Sequence, residues 1–113
     1  MKRKFERGSV YYGTLNNTGS VQTGKRPLLV IQNNIGNTHS KTVIVVPITS
    51  RKKKSLPTHV KLHMPETSLV LCEQIQTVNA SDLAKTPIYT LTKEEMDMVD
   101  NALIISLGIG KED

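Results

Sequence analysis

The 113-residue chain has one cysteine, Cys72, and no tryptophan. A single thiol excludes an internal disulfide framework and leaves a cysteine-based zinc site without its ligands. Aromatic residues make up only 4% of the chain, so neither a core nor a stacking surface can rest on many rings. No run approaches the roughly 18 apolar residues of a membrane span. The opening Met1-Lys2-Arg3-Lys4-Phe5-Glu6-Arg7 is basic and lacks the apolar stretch of a signal peptide. No membrane partner is expected, and a reducing cytoplasm suits the lone thiol. Acids are nearly missing from the first half. Residues 1–61 hold twelve Lys/Arg against Glu6 alone, a net of +11, and residues 62–113 hold three Lys against nine acids, a net of −6. This split suggests one face for a polyanion and another that stays away from it, with a solvated surface of mixed charge as the alternative.

The length implies one domain, 1–113, with one core. So small a body offers little depth for a pocket, which makes a groove shared in a homodimer an economical solution. What is present is mostly strand pattern. Val10–Leu15, Pro27–Gln32, Thr42–Thr49, Thr58–Leu62 and Ser68–Ile75 are rich in β-branched and apolar residues and predict strands. Pro47 places its strand at an edge or a bulge. Asn16–Gly24, Asn33–Ser40 and Ser50–Ser55 are polar or charged and predict loops. Ala80–Ala84 suits one helical turn. Thr92 followed by Glu95 forms a capping-box pattern, and Met96, Val99, Leu103 and Leu107 give a helical stripe that ends at Gly108. Ile104 and Ile105 widen that stripe, which could serve a partner subunit as well as the sheet.

If strands 27–32 and 42–48 pair about a turn near Asn37, opposed residue numbers total about 75. Arg26 then faces Thr49 at one end of the sheet, on one face. A guanidinium offers a planar fork to phosphate oxygens, and a threonine hydroxyl can donate to the same group. The pair suits a phosphodiester that gains charge in its transition state. A surface ion pair beside a strand-end threonine is the plainer alternative.

Gly24-Lys25-Arg26-Pro27-Leu28-Leu29-Val30-Ile31-Gln32-Asn33 resembles the GxRPxLVIQN segment of the MazF/PemK toxin family. Arg7-Gly8-Ser9-Val10 resembles the family opening, Ile48-Thr49-Ser50 its strand end, Leu56-Pro57-Thr58-His59-Val60 its LPTHV, and Glu73-Gln74-Ile75-Gln76-Thr77 its EQIRT. Val99–Leu103 and Ser106–Gly108 resemble its last helix. The segments occur in family order along nearly the whole chain.

The resemblance implies a mainly β fold, an SH3-like β-barrel of the MazF/Kid/CcdB type with a C-terminal helix, forming homodimers. It implies a type II toxin, an endoribonuclease (mRNA interferase) that uses no metal or cofactor. Such an enzyme cuts single-stranded RNA by 2′-hydroxyl attack and leaves 2′,3′-cyclic phosphate and 5′-hydroxyl ends. The family's catalytic Arg and Thr fall on Arg26 and Thr49. Its RNA contacts fall on the loop with Ser20 and Gln22, on Lys25, on Ser50, Lys52, Lys53, Lys54, Leu56, Pro57 and His59, and on Glu73 and Gln74. A cognate acidic antitoxin of the MazE kind would fill the basic groove. The loop Gly19-Ser20-Val21-Gln22-Thr23-Gly24 departs from the family's GSEQGG, with Val21 in place of an acid, and Leu62–Ser68 is short; both bear on which sequence is cut.

Histidine as a residue type can exchange protons near neutral pH, which makes His59 one choice of general base; contact with RNA or solvent is the other reading. Tyr11 and Tyr12 offer a stacking surface or, as strand residues, core and interface packing. Two other functions stay open. A nucleic-acid binder without catalysis needs the basic half but not Arg26 with Thr49. A gyrase-directed toxin of the CcdB type is implied to carry a tryptophan-bearing tail, whereas this chain ends Gly110-Lys111-Glu112-Asp113. The run Arg51-Lys52-Lys53-Lys54 beside Thr49 yields a prediction. Replacing Lys52 and Lys53 should weaken RNA binding evenly across sequences and flatten its salt dependence, as measured by titration at several salt concentrations. A change in the sequence that is cut would make these lysines readers of bases instead.

Overall fold

The computed structural model describes residues 4–51, 54–63 and 66–110. Seven strands form one antiparallel sheet: β1 (Ser9–Leu15), β2 (Gly24–Val30), β3 (Thr42–Thr49), β4 (His59–Leu62), β5 (Ser68–Leu71), β6 (Gln76–Asn79) and β7 (Tyr89–Thr90). The order is β4-β5-β3-β2-β1-β7, with β6 also paired to β3. Among the described residues no ladder joins β4 to β7, so the sheet is a curled half-barrel. Helix α1 (Asn34–His39) links β2 to β3, a 3-10 turn covers Ala80–Asp82, and α2 (Lys93–Leu107) packs against β4.

Strand alternation explains why both faces of the sheet are covered. Leu29, Val46, Ile48, Val60 and Val70 point to one core, which Val99 and Ala102 of α2 close. Leu28, Val30, Val43 and Val45 point the other way, toward Phe5, Tyr11 and Leu83. Burying each of these large side chains is worth about 1.5–3 kcal/mol. The expected register holds: Leu28 pairs with Pro47, Leu29 with Val46 and Val30 with Val45.

Pro47 has one flank open, the local edge that was expected, although β3 is a central strand. β3 pairs β6 through Thr42–Val45 and β5 from Ile48, so Pro47 lies between those two ladders. Several expectations need correction. Asn33–Ser40 is not a loop. The Asn33 side chain caps α1 by accepting from Gly36 N at 2.8 Å, and buried Asn37 donates to Gln32 O at 3.0 Å. A helix whose buried residue is a satisfied amide leaves no apolar signature. The strand expected to run to Ile75 stops at Leu71, and the polar β6 follows it. In α2, Thr92 and Glu95 form the expected capping box and Gly108 (φ 67°) closes the helix in the left-handed region. Its buried stripe is narrower than expected. Val99 and Ala102 are inside, whereas Ile104, Ile105 and Leu107 are exposed.

Gly13 lies where β1 passes the 3-10 turn. A Cβ there would meet Leu28 Cδ1 and Leu83 Cδ2 at 2.7 Å and Asp82 O at 3.2 Å. Gly13→Ala should therefore lower unfolding free energy by about 1–3 kcal/mol in urea denaturation, through overpacking. A substitution of no measurable cost would show that this contact yields easily.

Candidate active site

Arg26 is in step with Leu28 and Val30 along β2, and Thr49 with Val43 and Val45 along β3. Parity alone would put both on one face, but each lies past the end of the β2–β3 ladder, where the cavities they line say what they face. The β2–β3 ladder stops at Leu28 and Pro47, so the two residues sit just past its end rather than as a bonded pair. Thr49 lines a cleft of about 550 Å³ with His59, Lys61, Arg51, Ser50 and Ser68. Arg26 lines an adjoining notch of about 240 Å³ with Tyr12, Pro27, Ile88, Ser50 and Ser68. Ser50 and Ser68 are common to both. Arg26 thus lines one cavity and Thr49 the other, with Ser50 and Ser68 as the wall they share.

Arg26 donates from Nε to Thr23 O at 2.9 Å. That bond fixes the inner edge of the guanidinium and leaves its Nη pair to meet an anion. Thr49 is 1% exposed and its Oγ1 accepts from Arg51 N at 3.2 Å, so its own hydrogen remains available for donation. Among the described residues Lys25, Arg26, Arg51 and Lys61 form no ion pair, although Glu66 lines the notch together with Lys25 and Arg26.

The other predicted contacts are placed less uniformly. Ser20, Ser50, Lys54, Leu56 and Pro57 are exposed, while Lys52 and Lys53 lie outside the described residues. Gln22 is buried, and its backbone N–H donates to Gln74 Oε1 at 2.8 Å. Asn17 Nδ2 donates to Gln22 O at 2.8 Å and to Gln76 Oε1 at 2.7 Å. Gln22, Gln74 and Gln76 therefore latch the β1–β2 loop to the segment before β6. Glu73 accepts from Thr58 Oγ1 at 3.1 Å, and its other oxygen meets His59 Nε2 at 3.1 Å. In the free protein its carboxylate holds the turn into β4. The His59 side chain is 3% exposed, and its Nδ1 is buried with no partner among the described residues. Asn17 and Gln76 were not anticipated as loop anchors, since lone amides carry no sequence signal. Among the described residues no group of three or more His, Cys, Asp or Glu could hold a metal ion, and no helix is long and apolar enough to cross a membrane.

Residues 6–107 match the model of the PemK-like, MazF-like toxins of type II toxin-antitoxin systems. The chain belongs to this family. Its MazF-type fold also matches solved structures. An endoribonuclease from a mycobacterial species superimposes with a TM-score of 0.80 at 26% identity, covering 96% of each chain. A mycobacterial endoribonuclease in complex with its cognate antitoxin gives 0.76 at 28%, covering 94% of this chain and 97% of that one. MazF from Deinococcus radiodurans gives 0.82 at 22%, covering 96% and 100%, a likeness of fold.

Cys72 of this MazF-type chain is fully buried beside Glu73. Burial first, then the charges of Glu73 and Asp100, push its thiol up to about 12. At pH 8 the native thiol should react with a disulfide reagent about a thousandfold more slowly than the same thiol in the unfolded chain, where the ordinary value returns. Absorbance with and without guanidinium measures this, and fast native labelling would contradict it.

Proposed function

We propose that this MazF-type toxin is a metal-independent endoribonuclease that cuts single-stranded RNA at the wall between the Arg26 and Thr49 cavities. The observation that carries this reading is the common wall itself. Two chemically complementary groups, 23 positions apart in the chain, flank one place where a phosphodiester can lie. The 2′-oxygen of the ribose attacks the adjacent phosphorus. The O2′–P bond forms and the P–O5′ bond breaks. The 2′ proton leaves to a base, and the 5′ oxygen takes up a proton. The ends are a 2′,3′-cyclic phosphate and a 5′-hydroxyl.

Arg26 stabilises the charge that grows on the non-bridging oxygens, and Thr49 donates to one of them or orients the nucleophile. Arg51, Lys61 and the lysines of the following loop hold the flanking phosphates. The whole chain works as one domain in the cytoplasm, where a buried free thiol persists. Exposed Ile104, Ile105 and Leu107 on α2 support a homodimer, since such an apolar stripe favours cover by a second copy. The basic residues of the clefts suit an acidic antitoxin, and the mycobacterial relative is in complex with its cognate antitoxin.

Arg26→Ala and Thr49→Ala should each cut the cleavage rate by about a hundredfold or more, the usual cost of removing one charge-stabilising donor. The dimer should stay folded, because Arg26 is only half-buried and Thr49, though buried, belongs to neither apolar core. The assay is end-mapped digestion of RNA with EDTA present. Normal cleavage by either variant would remove the proposed site, and binding of RNA without any cleavage by the unsubstituted protein would leave a binding module.

A further inference from the structure

Tyr11 and Tyr12 are neighbours in β1 and face opposite ways. Tyr11 is 3% exposed, packs edge-on against Phe5 with ring centroids 5.0 Å apart, and accepts from Glu6 N. Tyr12 is 42% exposed. Its ring lines the notch that holds Arg26, where Pro27, Ile48 and Ile88 are the apolar neighbours and Lys25, Ser50, Glu66 and Ser68 the polar ones; Ile88 is 45% exposed. Lys25 Nζ lies 5.6 Å from the ring centroid. In a chain with only three tyrosines and one phenylalanine, an aromatic ring left open beside a phosphate-directed guanidinium needs a physical occupant.

We infer that Tyr12 is a nucleobase-stacking platform for the nucleotide next to the scissile phosphate, an assignment of place that rests on the endoribonuclease reading. A phosphodiester on the wall of Ser50 and Ser68 has one neighbouring nucleotide over the Thr49 cleft and the other over the notch. The notch, at about 240 Å³, has room for a single base. Two interactions compete for the tyrosine face. An exposed lysine over a ring is worth about two- to fivefold in an equilibrium. A stacked base is worth about five- to 150-fold. Stacking wins, and the base displaces Lys25, which swings from the ring to the phosphate that arrives with it. Stacking tolerates any base, so Tyr12 raises affinity without selecting sequence.

The test uses single-stranded DNA of mixed sequence and an abasic DNA of the same length. Neither has the 2′-hydroxyl that cleavage needs, so the result does not depend on whether Arg26 and Thr49 are catalytic. Binding is followed by fluorescence anisotropy, and the assembly state by sedimentation. The unsubstituted protein and Tyr12→Phe should bind the base-bearing strand at least about fivefold more tightly than the abasic one. Tyr12→Ala should bring that ratio close to one, with abasic affinity and assembly state unchanged. Equal affinity of the unsubstituted protein for the two strands overturns the inference. So does a ratio retained in Tyr12→Ala, or a loss for both strands together with altered assembly, which would make Tyr12 a packing residue. If the ratio behaves as expected while ordinary RNA is never cut, the nuclease reading fails and the stacking subsite survives.

Discussion

A proline has no N–H to give to a ladder, and β3 places Pro47 where its second flank has no ladder to supply. On that flank β6 holds the strand through Val45 and β5 takes over at Ile48. The exchange of partners lets one strand belong to both halves of the curled sheet. It also carries Ile48 and Thr49 away from β2, whose own pairing with β3 stops at Leu28. The notch and the larger cleft lie at that parting, with the start of β2 on one side and the start of β5 on the other. A strand that stayed with one neighbour throughout would close this gap and leave Arg26 and Thr49 with no cavity between them.

The loops around the gap are tied down by side-chain amides and one carboxylate. Asn17, Gln74 and Gln76 fasten the β1–β2 loop, and Glu73 fastens Thr58 and His59. These bonds are made in the free protein, so much of the ordering cost of these loops is met during folding rather than on binding a ligand. Residues that a family resemblance assigns to base contact thus have a prior structural duty. A substitution at Glu73 or Gln74 would disturb loop geometry, and with it any contact that these loops make with a ligand.

Legibility followed chemical signal. The β2–β3 register was readable because two apolar runs flank a polar turn, and it led directly to Arg26 and Thr49. The capping box of Thr92 and Glu95 was readable because a hydroxyl and a carboxylate three residues apart have one main structural use. α1 and β6 were not readable. Asn37 is buried as a satisfied amide, and β6 is only partly covered, so neither displays apolar periodicity. The exposure of Tyr12 was also hidden. Sequence alternation says that Tyr11 and Tyr12 face opposite ways, but with both faces of the sheet carrying a core it cannot say which face runs out of cover first.

Electrostatics decides what the gap can hold. The clefts gather Lys25, Arg26, Arg51 and Lys61 with no ion pair among the described residues, whereas Arg7 is bound to Asp100 at 2.9 Å and to Ile31 O at 2.8 Å. Arg7 has become a clamp between the chain start and α2; Arg26, held only through Nε, keeps its outer nitrogens for a ligand. The difference is one of partners, since the two side chains are identical. Under the proposed reaction, a guanidinium oriented in advance would reorganise little as charge builds on phosphorus. On that reading the Thr23 carbonyl, which accepts from Arg26 Nε, is the group that positions the guanidinium.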